Sequence, residues 1–166
     1  RRVMLRLSEL LKTASDVKFI IVEGNHDMTP EHLQGWAWSE NVKVLKGSSS
    51  TKVIFEEVGV AIHGIGWEKA MDTQSLLNSA VKVEGMYNIL MLHGDALGNS
   101  NYMPISKNSL AELEMDYIAL GHIHKPMFIS ENIAYCGSLE GLDFGEPGDR
   151  GFIHGRLGEK NTFEFI

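Results

Sequence analysis

Three apolar runs, FIIVEGNHD (19–27), NILMLHGD (88–95) and YIALGHIH (117–124), each arrive at glycine and histidine where a strand gives way to a loop. In open α/β sheets ligands bind outside the carboxyl ends of strands, so three ends that each deliver a histidine point to one shared location. Within GHIH, His122 and His124 stand two apart. In an extended segment such residues face one side about 6.6 Å apart, from a rise of ~3.3 Å per residue. Two imidazoles so placed can reach two metal ions ~3.5–4 Å from each other, the separation of two-metal phosphoryl sites. Asn25 adds an amide oxygen and His93 an imidazole, a mixed N and O set suited to manganese, iron or zinc rather than calcium. His26, beside Asn25 on the same turn, points differently from its neighbour and is better placed as a proton donor or charge stabiliser than as a ligand. A lone histidine after a strand is more often a hydrogen-bonded structural residue; the clustering of several is what argues for a metal site.

Other residues have plainer explanations. Asp27 can orient His26 or serve as a local turn acceptor, and the two are evenly matched. His63 also ends a strand, but Gly64 and Gly66 beside it suggest close backbone packing, so a structural role is expected. Asp95 and Asp143 are read as exposed turn residues rather than substitute ligands. His32 and His154 have no partner motif and are assigned to surface or packing roles. Trp36 and Trp38 offer a stacking platform for a base, yet a helix docked on the sheet is the simpler expectation. Cys136 is expected to be a small buried apolar residue.

The elements that must position these residues follow from periodicity. Residues 3–14 place Val3, Leu7, Leu10, Leu11 and Ala14 on one side at helical spacing, and 17–23 is a short β-branched run. Thr29-Pro30-Glu31 reads as an N-cap with proline at the first helical position, opening a helix to about Ser39; Asp72 or Thr73 caps another over 73–83. Strands are predicted in NVKVLKG (41–47), TKVIFEEV (51–58), GVAIHGIGW (59–67), 86–94 and 116–124, with a helix over Ser106–Met115. PMFIS, NIAYCGS, RGFIHGRL and NTFEFI add short strands between turn signals. Buried central strands flanked by helices, with a strand-rich tail, make a mixed α/β sandwich with antiparallel edges.

Length and composition bound the answer. At 166 residues the chain has room for one core, and it shows no internal repeat or linker, so a single domain is expected. No stretch approaches the ~18–20 apolar residues of a membrane span. Cys136 is the only cysteine, which excludes an internal disulfide and fits a reduced, cytoplasmic protein. Lys and Arg number 15 against 22 Asp and Glu, a net charge of −7, the wrong sign for holding nucleic acid by charge alone. Bound divalent cations reverse such a potential locally.

In their order along the chain, GNHD (24–27), LHGD (92–95) and GHIH (121–124) resemble motifs three to five of the calcineurin-like metallophosphoesterase superfamily. The ending YCGSLEGLDFGEPGDRGF (135–152) is similar to the tail of the nuclease domain in SbcD-type DNA double-strand-break repair exonucleases. The resemblance implies a mixed-sheet α/β sandwich of the metallophosphoesterase type, with residues 1–166 as a single nuclease domain lacking its first βαβ portion. It implies two divalent metal ions, manganese foremost with iron or zinc as alternatives, Asn25, His93 and His122 holding one and His124 the other. His26 would be the catalytic histidine that stabilises or protonates the leaving oxygen, and a metal-bridging hydroxide would attack phosphorus in line. Gly137-Ser138 would lie on a loop facing the substrate, though a tight turn explains that pair equally. DNA and an SMC-like ATPase subunit are the implied partners, and a homodimer is compatible with them. The family's earlier Asp-x-His and Gly-Asp-x-x-Asp motifs are not among these residues, so the 166 residues alone are expected to hold the metal pair poorly and to be inactive although the parent is an enzyme. Two alternatives stand: a phosphatase or phosphodiesterase for a small phosphorylated molecule or nucleotide, favoured by the acidic charge, and a metal-free interaction module.

Overall fold

The structure is a computed structural model and describes residues 2–27, 37–46, 50–67, 73–98 and 103–166. RVMLRLSELLKT has neither glycine nor proline and is rich in strong helix formers; it forms α1 (Arg2–Thr13). The amide Nδ2 of buried Asn41 is shared among the carbonyls of Leu11 (3.0 Å), Ala14 (3.0 Å) and Val17 (3.1 Å) at and just beyond the end of the helix, adding to the bonds Leu11 O and Ala14 O accept from Ala14 N and Val17 N. Anchoring at Leu11 and Ala14 sets the inward side. The half-buried positions of α1 are therefore Met4, Ser8 and Leu11, while Val3, Leu7 and Leu10, predicted to face inward, are exposed.

The next elements, β1 (Phe19–Val22) and β2 (Val42–Leu45), pair in parallel. The main sheet contains β3 (Thr51–Phe55), β4 (Val60–Ile65), β5 (Tyr87–His93), β6 (Tyr117–Gly121), β7 (Met127–Ser130) and β8 (Ile133–Tyr135) in the order β3-β4-β5-β6-β8-β7. Its four inner strands are parallel, and β3 and β7 run antiparallel at the edges. A hairpin of β9 (Ile153–Arg156) and β10 (Thr162–Phe165) follows. This mixed sheet with short helices is the expected α/β sandwich.

Helix α2 (Thr73–Asn78) stops short of the predicted 83. The Ser79 hydroxyl donates to Leu76 O (2.6 Å), and Asn88 holds both the N–H and the carbonyl of Val83, so 79–86 is committed to a turn. Helix α3 (Lys107–Ala111), capped by Ser106, falls within the helix predicted over Ser106–Met115 but also ends early, with Glu114 at φ 49°. Of the helix predicted from Thr29 to Ser39, residues 29–36 lie outside the described residues, and 37–39 are not helical. No described helix is long and apolar enough to cross a membrane.

Alternation along β5 buries Asn88, Leu90 and Leu92 on one face and leaves Ile89, Met91 and His93 half-buried on the other. The buried face joins Ile65, Leu77, Leu110, Ile118, Leu120 and Tyr135 in the core. Tyr135 is fully buried; its hydroxyl donates to Gly94 O (2.7 Å) and accepts from Ala96 N (2.8 Å), so β8 pins the loop that follows β5.

Candidate metal centre

The parallel register of β5 and β6 sets His93 opposite Gly121, which brings His122 next to it in space. The two rings meet edge to face with centroids 5.1 Å apart. From the third strand end, Trp67 N donates to Glu23 O (3.0 Å), tying the end of β1 to the end of β4. There His93 Nε2 donates to Asn25 Oδ1 at 2.7 Å. Two donor atoms this close could be drawn onto one ion once Nε2 gives up its hydrogen. Asn25, His93 and His122 thus come together from the carboxyl ends of β1, β5 and β6.

Two glycines hold the His93 ring. A Cβ on Gly24 would stand 2.7 Å from His93 Cε1, and one on Gly121 would stand 3.1 Å from Nδ1. The turn carrying Asn25 and His26 is closed by Asp27, whose Oδ2 accepts from Gly24 N at 2.9 Å and whose N–H returns to Gly24 O at 3.0 Å. Asp27 is therefore the local turn acceptor of its two expected roles. His26 is exposed on that turn.

GHIH departs from the extended geometry expected of it. Strand β6 stops at Gly121 and His122 adopts φ 101°, so the two-residue alternation that predicts parallel imidazoles does not apply. His124 is turned onto the tail instead: its Nδ1 lies 2.6 Å from Glu146 Oε1. Arg150 braces this pair, donating from Nη1 to His124 O (2.9 Å) and Ser138 Oγ (2.6 Å), and from Nη2 to the carbonyl of Glu146. Glu146 and Arg150 escaped the sequence reading. Their only trace there is two opposite charges four apart in an otherwise turn-like GEPGDR.

Burial is the main cause that pushes the His93 imidazole down to about 4; His122, His26 and His124 nearby also oppose its protonation, and Asp27 favours it. His122 is lowered by burial as well, opposed by Asp95, with His124 and His26 adding to the lowering. His93, His122, His26 and His124 therefore share one electrostatic neighbourhood. The Glu146 carboxyl is lowered by the Leu142 amide and by His124. Among the described residues no three His, Cys, Asp or Glu side chains gather around one point. What gathers is two imidazoles and a carboxamide, an uncharged N and O set that fits part of the shell of one first-row divalent ion.

The remaining predicted residues separate cleanly. His63 is buried, its Nε2 donating to Asn88 Oδ1 (3.1 Å), and burial lowers its pKa: the structural role. His154 is exposed on β9 and pairs with Glu164. Asp143 accepts from Gly145 N (2.6 Å) in an exposed turn. Asp95, expected to be exposed, is fully buried, because its Oδ1 turns inward to accept from Leu97 N (2.7 Å) and Gly98 N (3.2 Å). Cys136, expected to be buried, is exposed: it follows the last residue of β8, and it lines an apolar cavity of about 170 Å³ with Val22, Met91 and Ala119 behind His93. Ser138 hydrogen-bonds His124 O through its amide (3.1 Å), which accounts for Gly137-Ser138 as a turn packed on the GHIH loop. Trp38 is half-buried outside any helix; His32 and Trp36 lie outside the described residues.

Strand-end imidazoles gathered on a mixed α/β sandwich agree with the family match: the chain belongs to the calcineurin-like phosphoesterase family, whose model matches residues 1–126. That family hydrolyses phosphoesters and generally binds two divalent metal ions. Among curated proteins, the chain is 29% identical over 150 residues to the uncharacterized metallophosphoesterase YhaO of Bacillus subtilis (strain 168), covering 82% of this chain and 36% of that protein. It is 49% identical over 41 residues to the SbcD subunit of nuclease SbcCD from Escherichia coli, strains K12 and O157:H7 alike, covering 24% of this chain and 10% of that protein. The chain therefore spans about a third of the first relative's length and a tenth of the second's.

Proposed function

We propose that the protein hydrolyses DNA phosphodiesters with divalent metal ions, manganese foremost, as an exo- or endonuclease in DNA repair. The observation that carries the reading is the meeting of Asn25 Oδ1 with His93 Nε2 at 2.7 Å, beside the His122 ring, at the strand ends of a phosphoesterase fold. Asn25, His93 and His122 hold one ion and His124 its neighbour. The ions, when bound, supply a nucleophile at neutral pH and neutralise charge on the phosphoryl oxygens. His26, exposed on the Asn25 turn, stabilises or protonates the leaving oxygen.

DNA as substrate is supported by the short likeness to the SbcD subunit of nuclease SbcCD and by the tail over 135–152. On that reading the 166 residues are one nuclease domain less its first βαβ portion, working in the cytoplasm beside an SMC-like ATPase, with a homodimer compatible. By themselves these residues hold the ion pair poorly, since the gathered donors are uncharged and four positive charges need carboxylates.

The test is hydrolysis of a linear DNA duplex and of a small aryl phosphodiester by the purified full-length parent of these 166 residues, with Mn2+ and with chelator. Mn2+-dependent cleavage of the duplex, abolished in His26→Ala, is expected. Cleavage of the small diester alone would replace DNA with a small phosphorylated substrate, the reading that the net charge of −7 favours. Strong turnover by the 166 residues alone would overturn the claim that they are inactive by themselves.

A further inference from the structure

We propose that Glu146 is a positioning residue for the metal centre: it fixes the ring tautomer of His124, so that Nε2 is the nitrogen offered to an ion. This rests on the metal reading given above. Glu146 Oε1 lies 2.6 Å from His124 Nδ1. A carboxylate only accepts, so Nδ1 carries the hydrogen, and in a neutral imidazole the lone pair then sits on Nε2. Carboxylate partners of this kind set the tautomer and orientation of metal-binding histidines in general.

The carboxylate is itself held. Its Oε2 accepts from Leu142 N at 3.0 Å and stands 3.5 Å from Arg150 Nη2. Arg150 also bonds the carbonyl of Glu146, Ser138 Oγ and the carbonyl of His124, so one guanidinium clamps the acid and the backbone of the residue it orients. A purely structural acid would need only its bonds to Leu142 and Arg150. Oε1 is left for the ring of a residue 22 positions earlier.

The test reads the tautomer first and metal second. The ring 15N shifts of His124 are measured in metal-free protein, and Mn2+ affinity is measured by calorimetry, in the full-length parent of these residues, unaltered and as Glu146→Ala and Glu146→Gln. The unaltered protein is expected to be Nδ1-protonated. E146A should shift toward the Nε2-protonated form and bind Mn2+ about 10–100-fold more weakly. E146Q, whose amide oxygen still accepts, should recover tautomer and affinity to within about threefold. Should E146A fail to fold, Glu146→Asp, which keeps the charge beside Arg150 and shortens the reach, is judged by the same two readouts. An unchanged tautomer and unchanged Mn2+ affinity in E146A or E146D would overturn the positioning role, whatever their stability. Mn2+ binding by an unaltered protein whose His124 is Nε2-protonated would overturn it too. No Mn2+ binding at all, with His124 Nδ1-protonated, would overturn the metal reading and the role together.

Discussion

His122 carries a cost that its neighbours do not. A non-glycine residue at φ 101° sits where L side chains are rare, at about 1–3 kcal/mol. Replacing it by glycine removes that strain against a chain-entropy penalty of ~0.5–1 kcal/mol. His122→Gly is therefore expected to gain about 1 kcal/mol in urea unfolding of the metal-free protein while weakening Mn2+ binding; a loss of more than about 1 kcal/mol would refute the strain. At this scale Asn25, His26, His93, His122 and His124 stand out in the sequence as candidates because each follows an apolar run into a loop. Asp95, Glu146 and Arg150 could not: burial turned a turn-like aspartate inward, and the acid that meets His124 is brought to it only by the fold. A single dihedral, His122 at φ 101°, undoes the i to i+2 spacing in GHIH.

Among the elements, the strands were legible and the helix ends were not. Runs such as NILMLH announce a strand by composition alone, whereas α2 and α3 end where Asn88, Ser79 and the left-handed Glu114 stop them, signals that depend on partners or on one φ angle. The same kind of hidden partner decides how α1 sits. Asn41 serves three carbonyls at the end of α1 from the start of β2. Asn41→Ala removes this shared donor, while Leu11 O and Ala14 O keep their backbone partners, and is expected to cost about 1 kcal/mol, read by chemical denaturation. Hydrogen exchange should quicken across α1 and β2 before it does in β5. Uniform protection in the variant would count against this anchoring.

For the whole molecule, three imidazoles set a pH dependence. His63, His93 and His122 all stay neutral in the fold below the ordinary value of 6.5, His93 down to about 4, because burial opposes their charge. The unfolded chain takes up those protons near 6.5, so it binds more protons than the native state at lower pH. Stability is thus fully present above about 6.5 and declines as pH falls toward 4. Urea midpoints of metal-free protein at pH 7.5, 5.5 and 4.5 should fall in that order; a flat series would contradict it.

The hydroxyl of Tyr135 closes the molecule in a way neither strand end reveals. It grips the peptide on both sides of Asp95, while the chain leaving the same β8 runs at once into Gly137-Ser138, seated on the backbone of His124. The two donor loops are therefore slaved to one short strand. A fluctuation that lifts β8 is expected to loosen the chain after His93 and the chain at His124 together.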